Sequence, residues 1–195
     1  CKVKVPEVVP EKFSKITEMV RRRYHLRVHK FTRHELIEEG YGRKVFDLLN
    51  TTYKDLYGFS QLSDRQINKL VNDYIKLADL NLVTAIMDED KMVGFGITFP
   101  SFSRALQKTR DGRLFPFGWR HLLKILKWHK TPVVDLLLIG VLPEYRAKGA
   151  NALIFDDLIR QFQAYGFEWA ETGPQMETNE GVLSQWQHLV AIIHR

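Results

Sequence analysis

The chain has 195 residues, with 29 Lys+Arg against 23 Asp+Glu and a formal net charge of +6. At 45% hydrophobic and 12% aromatic residues it can bury a core, which excludes wholesale disorder, and its length fits a single domain. The longest apolar run, from Val133 to Leu142, is interrupted by Asp135 and Gly140, which excludes a spanning helix, and the single cysteine, Cys1, excludes an internal disulfide framework and a thiolate zinc site.

Such cysteine usage points to a reducing compartment, and the expected location is the cytoplasm. A start on Cys1 rather than Met suggests either processing or a piece of a longer polypeptide. Pro6 and Pro10 mark an irregular lead-in, and apolar periodicity at Phe13, Ile16, Met19 and Val20 predicts a helix over 11–23. Residues 1–24 thus read as an N-terminal helical extension. The helix closes on Arg21-Arg22-Arg23, which reads as a solvated face. Alternation at Leu26, Val28 and Phe31 predicts a short strand, followed by helices over 42–57 and 63–80. Ser63 and Gln66 have the spacing of a capping box at the start of the second. Two strands over 82–87 and 92–99 are joined by an acidic turn, Asp88-Glu89-Asp90-Lys91.

Residues 100–132 form a long connection, a length that usually carries function or its own structure. Most of the positive charge sits there. Between Arg104 and Lys130 lie Arg104, Lys108, Arg110, Arg113, Arg120, Lys124, Lys127 and Lys130 against one acid, Asp111, which leaves the rest of the chain slightly acidic. Trp119, Leu122, Leu123 and Leu126 recur at helical spacing, with Arg120, Lys124, Lys127 and Lys130 on other faces. Two readings stay open: a surface helix packed on the core, and a helix lying on an anionic membrane at the inner face, with Trp119 and Trp128 at headgroup level. Nucleic-acid binding is the weaker third reading, because a nucleic-acid binder more often spreads its charge over a broader face.

Residues 133–141 predict the strongest strand, apolar on both faces and central in a sheet. A turn through Pro143-Glu144-Tyr145-Arg146-Ala147-Lys148-Gly149 leads into a helix over 150–165, with Leu153, Ile154, Leu158 and Phe162 inward. A strand over 168–172, a helix over 180–188 and a strand over 189–193 finish the chain. The strand–turn–helix unit exposes successive main-chain N–H groups at the positive end of a helix dipole, a site suited to phosphate oxygens. Gly149 allows close approach, and Arg146 and Lys148 add charge. It is neither a Walker loop nor a dinucleotide fingerprint, which require Gly-Lys-Ser/Thr and three glycines in register.

Val141-Leu142-Pro143-Glu144-Tyr145-Arg146-Ala147-Lys148-Gly149-Ala150 resembles the signature of the GNAT superfamily of acyl-CoA-dependent N-acyltransferases, and the order of elements from residue 25 onward is similar to theirs. The pattern departs at Asn151, where Gly or Ala is usual. The resemblance implies an α/β fold of the α+β kind: a mixed, mostly antiparallel central sheet with helices on both faces, over a domain of residues 25–195. It implies acyl-CoA as co-substrate, a primary amine as acceptor and no metal. Ile139, Gly140 and Val141 would pair with the pantetheine arm, and Arg146, Ala147, Lys148, Gly149, Ala150 and Asn151 would hold the diphosphate. Glu171-Thr172 and Glu177-Thr178-Asn179 resemble the pattern of a bacterial subgroup, some of whose members are similar to ceramide synthases that acylate a sphingoid amine. Asn179 would reach the pantetheine amides or simply cap a helix. The family usually continues past the last strand, so another segment is expected to complete the sheet.

Transfer from a thioester to an amine requires a neutral amine, a donor for the oxyanion and a proton for the thiolate. Glu171 is the first candidate for the base and Glu177 the second, with Asp135 less well situated on its strand. A main-chain N–H near Ile139 would serve the oxyanion. Many family members carry a tyrosine as thiolate acid where this chain has Trp186, so that role is unassigned. The departures at Asn151 and Trp186 motivate a second hypothesis, a GNAT-like module that binds CoA or an anionic lipid without turnover.

Overall fold

The computed structural model describes residues 2–56, 58–75, 78–101, 131–172 and 191–192. Seven strands hydrogen-bond in the order β2-β3-β4-β5-β6-β1-β7. They are β1 (Lys2–Lys4), β2 (Arg27–His29), β3 (Val83–Asp88), β4 (Lys91–Pro100), β5 (Val133–Val141), β6 (Trp169–Thr172) and β7 (Ala191–Ile192). The helices are α1 (Glu11–Tyr24), α2 (Arg33–Ile37), α3 (Tyr41–Tyr53), α4 (Asp64–Tyr74), α5 (Pro143–Arg146) and α6 (Ala150–Tyr165). The sheet is mostly antiparallel, β5 and β6 being its parallel pair among the registers described. By contacts the chain divides into two compact units, one of residues 1–7, 98–137 and 162–195, the other of residues 8–97 and 138–161.

In the first unit the sequence departs most from expectation. The lead-in read as irregular begins with a strand: β1 lies between β6 and β7, with Lys2 opposite both Glu171 and Ile192. Val3 is buried, and the alternation Lys-Val-Lys, with one apolar residue facing inward, is what a short strand needs. The Pro132 carbonyl accepts from the N–H groups of both Glu168 and Trp169, at 2.8 and 3.0 Å, which fixes the start of β6 beside β5.

In the second unit α1 runs one residue past its expected end. Its inward residues are Phe13, Thr17 and Val20, while Met19, expected inward, is half exposed. The spacing of 13, 17 and 20 is the tighter helical stripe, and Thr17 is accommodated by donating to the Ser14 carbonyl at 2.9 Å. The Ser63–Gln66 capping box forms as read, and a second one, Thr32–Glu35, opens the short α2 that periodicity missed. Phe31, Leu36, Val45, Leu48, Leu49, Ala85, Met87, Met92 and Phe95 make the core of this unit. β5 and α6 begin and end where the sequence reading put them. The basic connection from Arg104 to Lys130 and the helix expected over 180–188 lie outside the described residues.

Candidate functional site: the turn between β5 and α6

Pro143 at the first helical position starts α5, a single turn whose last residue is Arg146. Three ties hold it in place. Leu142 N–H donates to the Val93 carbonyl at 2.9 Å, Arg146 Nε donates to the Val141 carbonyl at 2.9 Å, and Tyr145 Oη donates to Asp88 Oδ2 at 2.7 Å. The carboxylate, aided by burial, pushes the Tyr145 phenol up to about 12, so it stays a donor throughout the neutral range. A strand end, a guanidinium and a phenol thus fix the turn without using its later N–H groups.

Those later groups divide into two sets. Arg146 N–H returns to the Leu142 carbonyl at 3.2 Å and Gly149 N–H to the Arg146 carbonyl at 3.1 Å. The N–H groups of Ala147, Lys148, Ala150 and Asn151 have no hydrogen-bond partner among the described residues. Ala150 and Asn151 open α6, where unpaired N–H groups and the helix dipole both favour an anion. Gly149 makes the geometry possible: its φ of 83° lies in the left-handed region, and a Cβ there would stand 3.0 Å from Val20 Cγ2. The Asn151 side chain is half-buried and Ala150 fully buried.

Upstream, Gly140 lets β5 approach its neighbours, since a Cβ there would lie 2.5 Å from Phe95 Cε1 and 2.6 Å from Thr52 Oγ1. Next to it is a residue the sequence reading missed. Tyr53, at the end of α3, donates its hydroxyl to the Ile139 carbonyl at 3.0 Å and accepts from Ile139 N–H at 3.3 Å. Burial pushes this phenol up, partly offset by the hydrogen bond from Ile139 and the charge of Arg146. The sequence reading placed it inside a helix over 42–57, and no motif includes it. Both main-chain groups of Ile139, expected free for a ligand, are met by this side chain.

The candidate acids belong to the first unit. Glu171 lies on β6 with its carboxylate 3.3 Å from Lys2 Nζ, and its strand register sets it opposite Asp135. Burial pushes the Asp135 carboxyl up, a hydrogen bond with the Ser101 side chain pulls it back, and the Glu171 charge pushes it up again. Asp135, expected to be less well situated, holds its proton more tightly than usual. Glu177, Asn179 and Trp186 lie outside the described residues.

No protein-family model matches the sequence. Over 108 residues, 55% of this chain, it is 23% identical to a protein of Caulobacter vibrioides named bacterial ceramide synthase, and that stretch spans 28% of the relative's length. Among solved structures it is similar to an aminoglycoside acetyltransferase from an uncultured soil metagenomic sample in complex with sisomicin. The TM-score is 0.53 at 12% identity, covering 90% of this chain and 96% of that one. It is also similar to the PaiA N-acetyltransferase of Thermoplasma acidophilum in complex with coenzyme A, with a TM-score of 0.47 at 13% identity, covering 84% and 87%. The first of these carries the fold assignment: the chain shares the α/β fold of that protein, with a seven-stranded, mostly antiparallel sheet.

Proposed function

We propose that the chain is an acyl-CoA-dependent N-acyltransferase that moves an acyl group from the CoA thioester to a primary amine. One observation carries this reading: the N–H groups of Ala147, Lys148, Ala150 and Asn151, between β5 and the start of α6, have no partner among the described residues. Such donors, two just before and two at the positive end of a 16-residue helix, suit a diphosphate. The acetyltransferase fold gives independent support.

In this reading the amine nitrogen attacks the thioester carbonyl carbon, the C–N bond forms, and the carbonyl oxygen takes negative charge. Collapse breaks the C–S bond, the amine's proton passes to a carboxylate, and the departing sulfur takes a proton. Glu171 is proposed as the base, with Asp135, its cross-strand neighbour, as an acid that burial makes hold its proton more tightly than usual. The Tyr53 hydroxyl and Ile139 N–H, which satisfy each other in this structure, are proposed to part when the thioester enters and then to meet the oxyanion. A buried phenol with a raised pKa reaches that step protonated.

The acceptor is proposed to be an amphiphilic amine, a reading supported by the name of the Caulobacter relative and by the basic, Trp-containing segment from Trp119 to Lys130, which would rest on anionic lipid. The alternative, a module that holds CoA or an anionic headgroup without turnover, is favoured by Tyr53 occupying both main-chain groups of Ile139. Thiol release from acetyl-CoA and long-chain acyl-CoA with a panel of polyamine, aminoglycoside, diamino acid and sphingoid base separates these readings. Amine-dependent release, lost in Glu171→Gln, supports the enzyme. Saturable CoA binding with no release from any pair supports the module. Liposome partitioning indifferent to anionic lipid would remove the membrane part.

A further inference from the structure

The basic run Arg21-Arg22-Arg23 gains a role from where α1 ends. Helix α1 packs on the turn itself: a Cβ at Gly149 would meet Val20 Cγ2 at 3.0 Å and Ile16 Cγ2 at 3.5 Å. The last residue of α1, Tyr24, is half-buried, and its ring has Lys148 Nζ 5.6 Å from its centroid and Arg23 Cζ 5.5 Å from it. One aromatic ring therefore gathers a cation from α1 and a cation from the turn. The acids of this neighbourhood are engaged elsewhere. Glu18 pairs with Arg22 at 2.6 Å, Glu144 lies 3.8 Å from Lys91, and Asp88 accepts from Tyr145. Arg21 and Arg23 are exposed, and neither their side chains nor that of Lys148 has a carboxylate or hydrogen-bond partner among the described residues. Basic residues in a last turn complement the helix dipole, and Arg22 with Glu18 already forms an ion pair within it. Arg23 and Lys148 at one ring, with Arg21 one helical turn before it, exceed that need.

We infer that Arg23 and Lys148 at the Tyr24 ring, with Arg21 one helical turn before it, bind a second phosphate of the nucleotide thioester, the 3′-phosphate one ribose away from the diphosphate. The inference rests on the turn holding the diphosphate. Arginine suits it chemically, since a phosphate monoester is a doubly charged, three-oxygen acceptor that a guanidinium meets with two N–H donors. In this arrangement the N-terminal extension takes part in ligand binding and is no mere appendage to the sheet.

Isothermal titration of the full chain with CoA and with dephospho-CoA tests it, using wild type, Arg21→Ala/Arg23→Ala and Arg22→Ala. Wild type is expected to bind CoA about tenfold more tightly than dephospho-CoA. The double variant should lose that preference through weaker CoA binding, with dephospho-CoA affinity unchanged, while Arg22→Ala keeps it. If the double variant is too unstable to titrate, Arg23→Gln alone must narrow the preference in the same direction. Equal wild-type affinity for the two ligands, or a double variant that retains the preference or weakens both ligands alike, overturns the inference and leaves the diphosphate reading standing. Failure of wild type to bind either ligand overturns both.

Discussion

Lys30 and Lys148 stand in the same unit and meet opposite surroundings. Lys30 Nζ donates to the Asn81 carbonyl at 2.8 Å, the Val83 carbonyl at 3.1 Å and Thr84 Oγ1 at 3.1 Å, and pairs with Asp157 at 2.5 Å. Burial pulls its pKa down and Asp157 holds it up, so the charge is kept only because acceptors surround it. Lys148 has two aromatic rings, Tyr145 at 4.2 Å and Tyr24 at 5.6 Å, and a main-chain N–H with no partner among the described residues. Every donor around the first lysine is used to bind β2 and β3 to α6. Around the second, donors are left over, which is the condition for a ligand site and a poor arrangement for stability alone.

The largest effect is expected at the closed end of this contrast. Asp157→Ala leaves a mostly buried ammonium without its counter-charge, which costs about 3 kcal/mol and lowers Tm by roughly 10 °C. Lys148→Ala should stay within about 0.5 kcal/mol of wild type while weakening CoA. Scanning calorimetry of the two variants checks this pair, and equal destabilisation would erase the contrast.

Tyr53→Phe comes next. If the phenol meets the oxyanion, its loss lowers kcat about 100-fold with KM nearly unchanged, measured by thiol release. A variant that binds CoA more tightly and keeps kcat would instead mark Tyr53 as a placeholder on Ile139.

Tyr145→Phe removes a hydrogen bond to a carboxylate and should cost about 2 kcal/mol at neutral pH. Because the folded pKa is raised to about 12, this contribution is fully present below the unfolded value near 10 and is lost as pH rises through 12. The gap between wild type and variant in chemical denaturation should therefore narrow over that window.

Asp135→Asn is the smallest. The folded-state pKa is raised from 3.8, so the acid's contribution to stability is present below that value and is lost as pH rises through the folded pKa. The variant should gain about 1 °C in Tm at pH 7 and nothing below pH 4. A loss at pH 7 would mean that the carboxylate makes a stabilising contact.

Much of this architecture was legible in the chain. β5 and α6 were readable to the residue because one is a continuous apolar run and the other a clean helical stripe ending at Gly166. The turn was legible through Pro143 and Gly149, whose conformational demands are local. What escaped depended on partners distant in sequence. β1 is three residues long and has no pattern until β6 and β7 flank it. Tyr53 meets Ile139 across 86 residues, and no spacing rule reaches that far. The Arg21-Arg22-Arg23 run was visible as charge, but its relation to the turn follows from Val20 and Ile16 lying against Gly149. That Gly149 N–H is already spent, and its neighbours are not, depends on local turn geometry that residue types alone do not specify.

The most direct test of the central claim is a ¹H–¹⁵N correlation titration with CoA. The account predicts large downfield shifts of the Ala147, Lys148, Ala150 and Asn151 amides at saturation, with much smaller changes at Arg146 and Gly149, whose N–H groups are already bonded. Saturable binding that leaves those four amides unmoved, or that moves only the bonded pair, would contradict it.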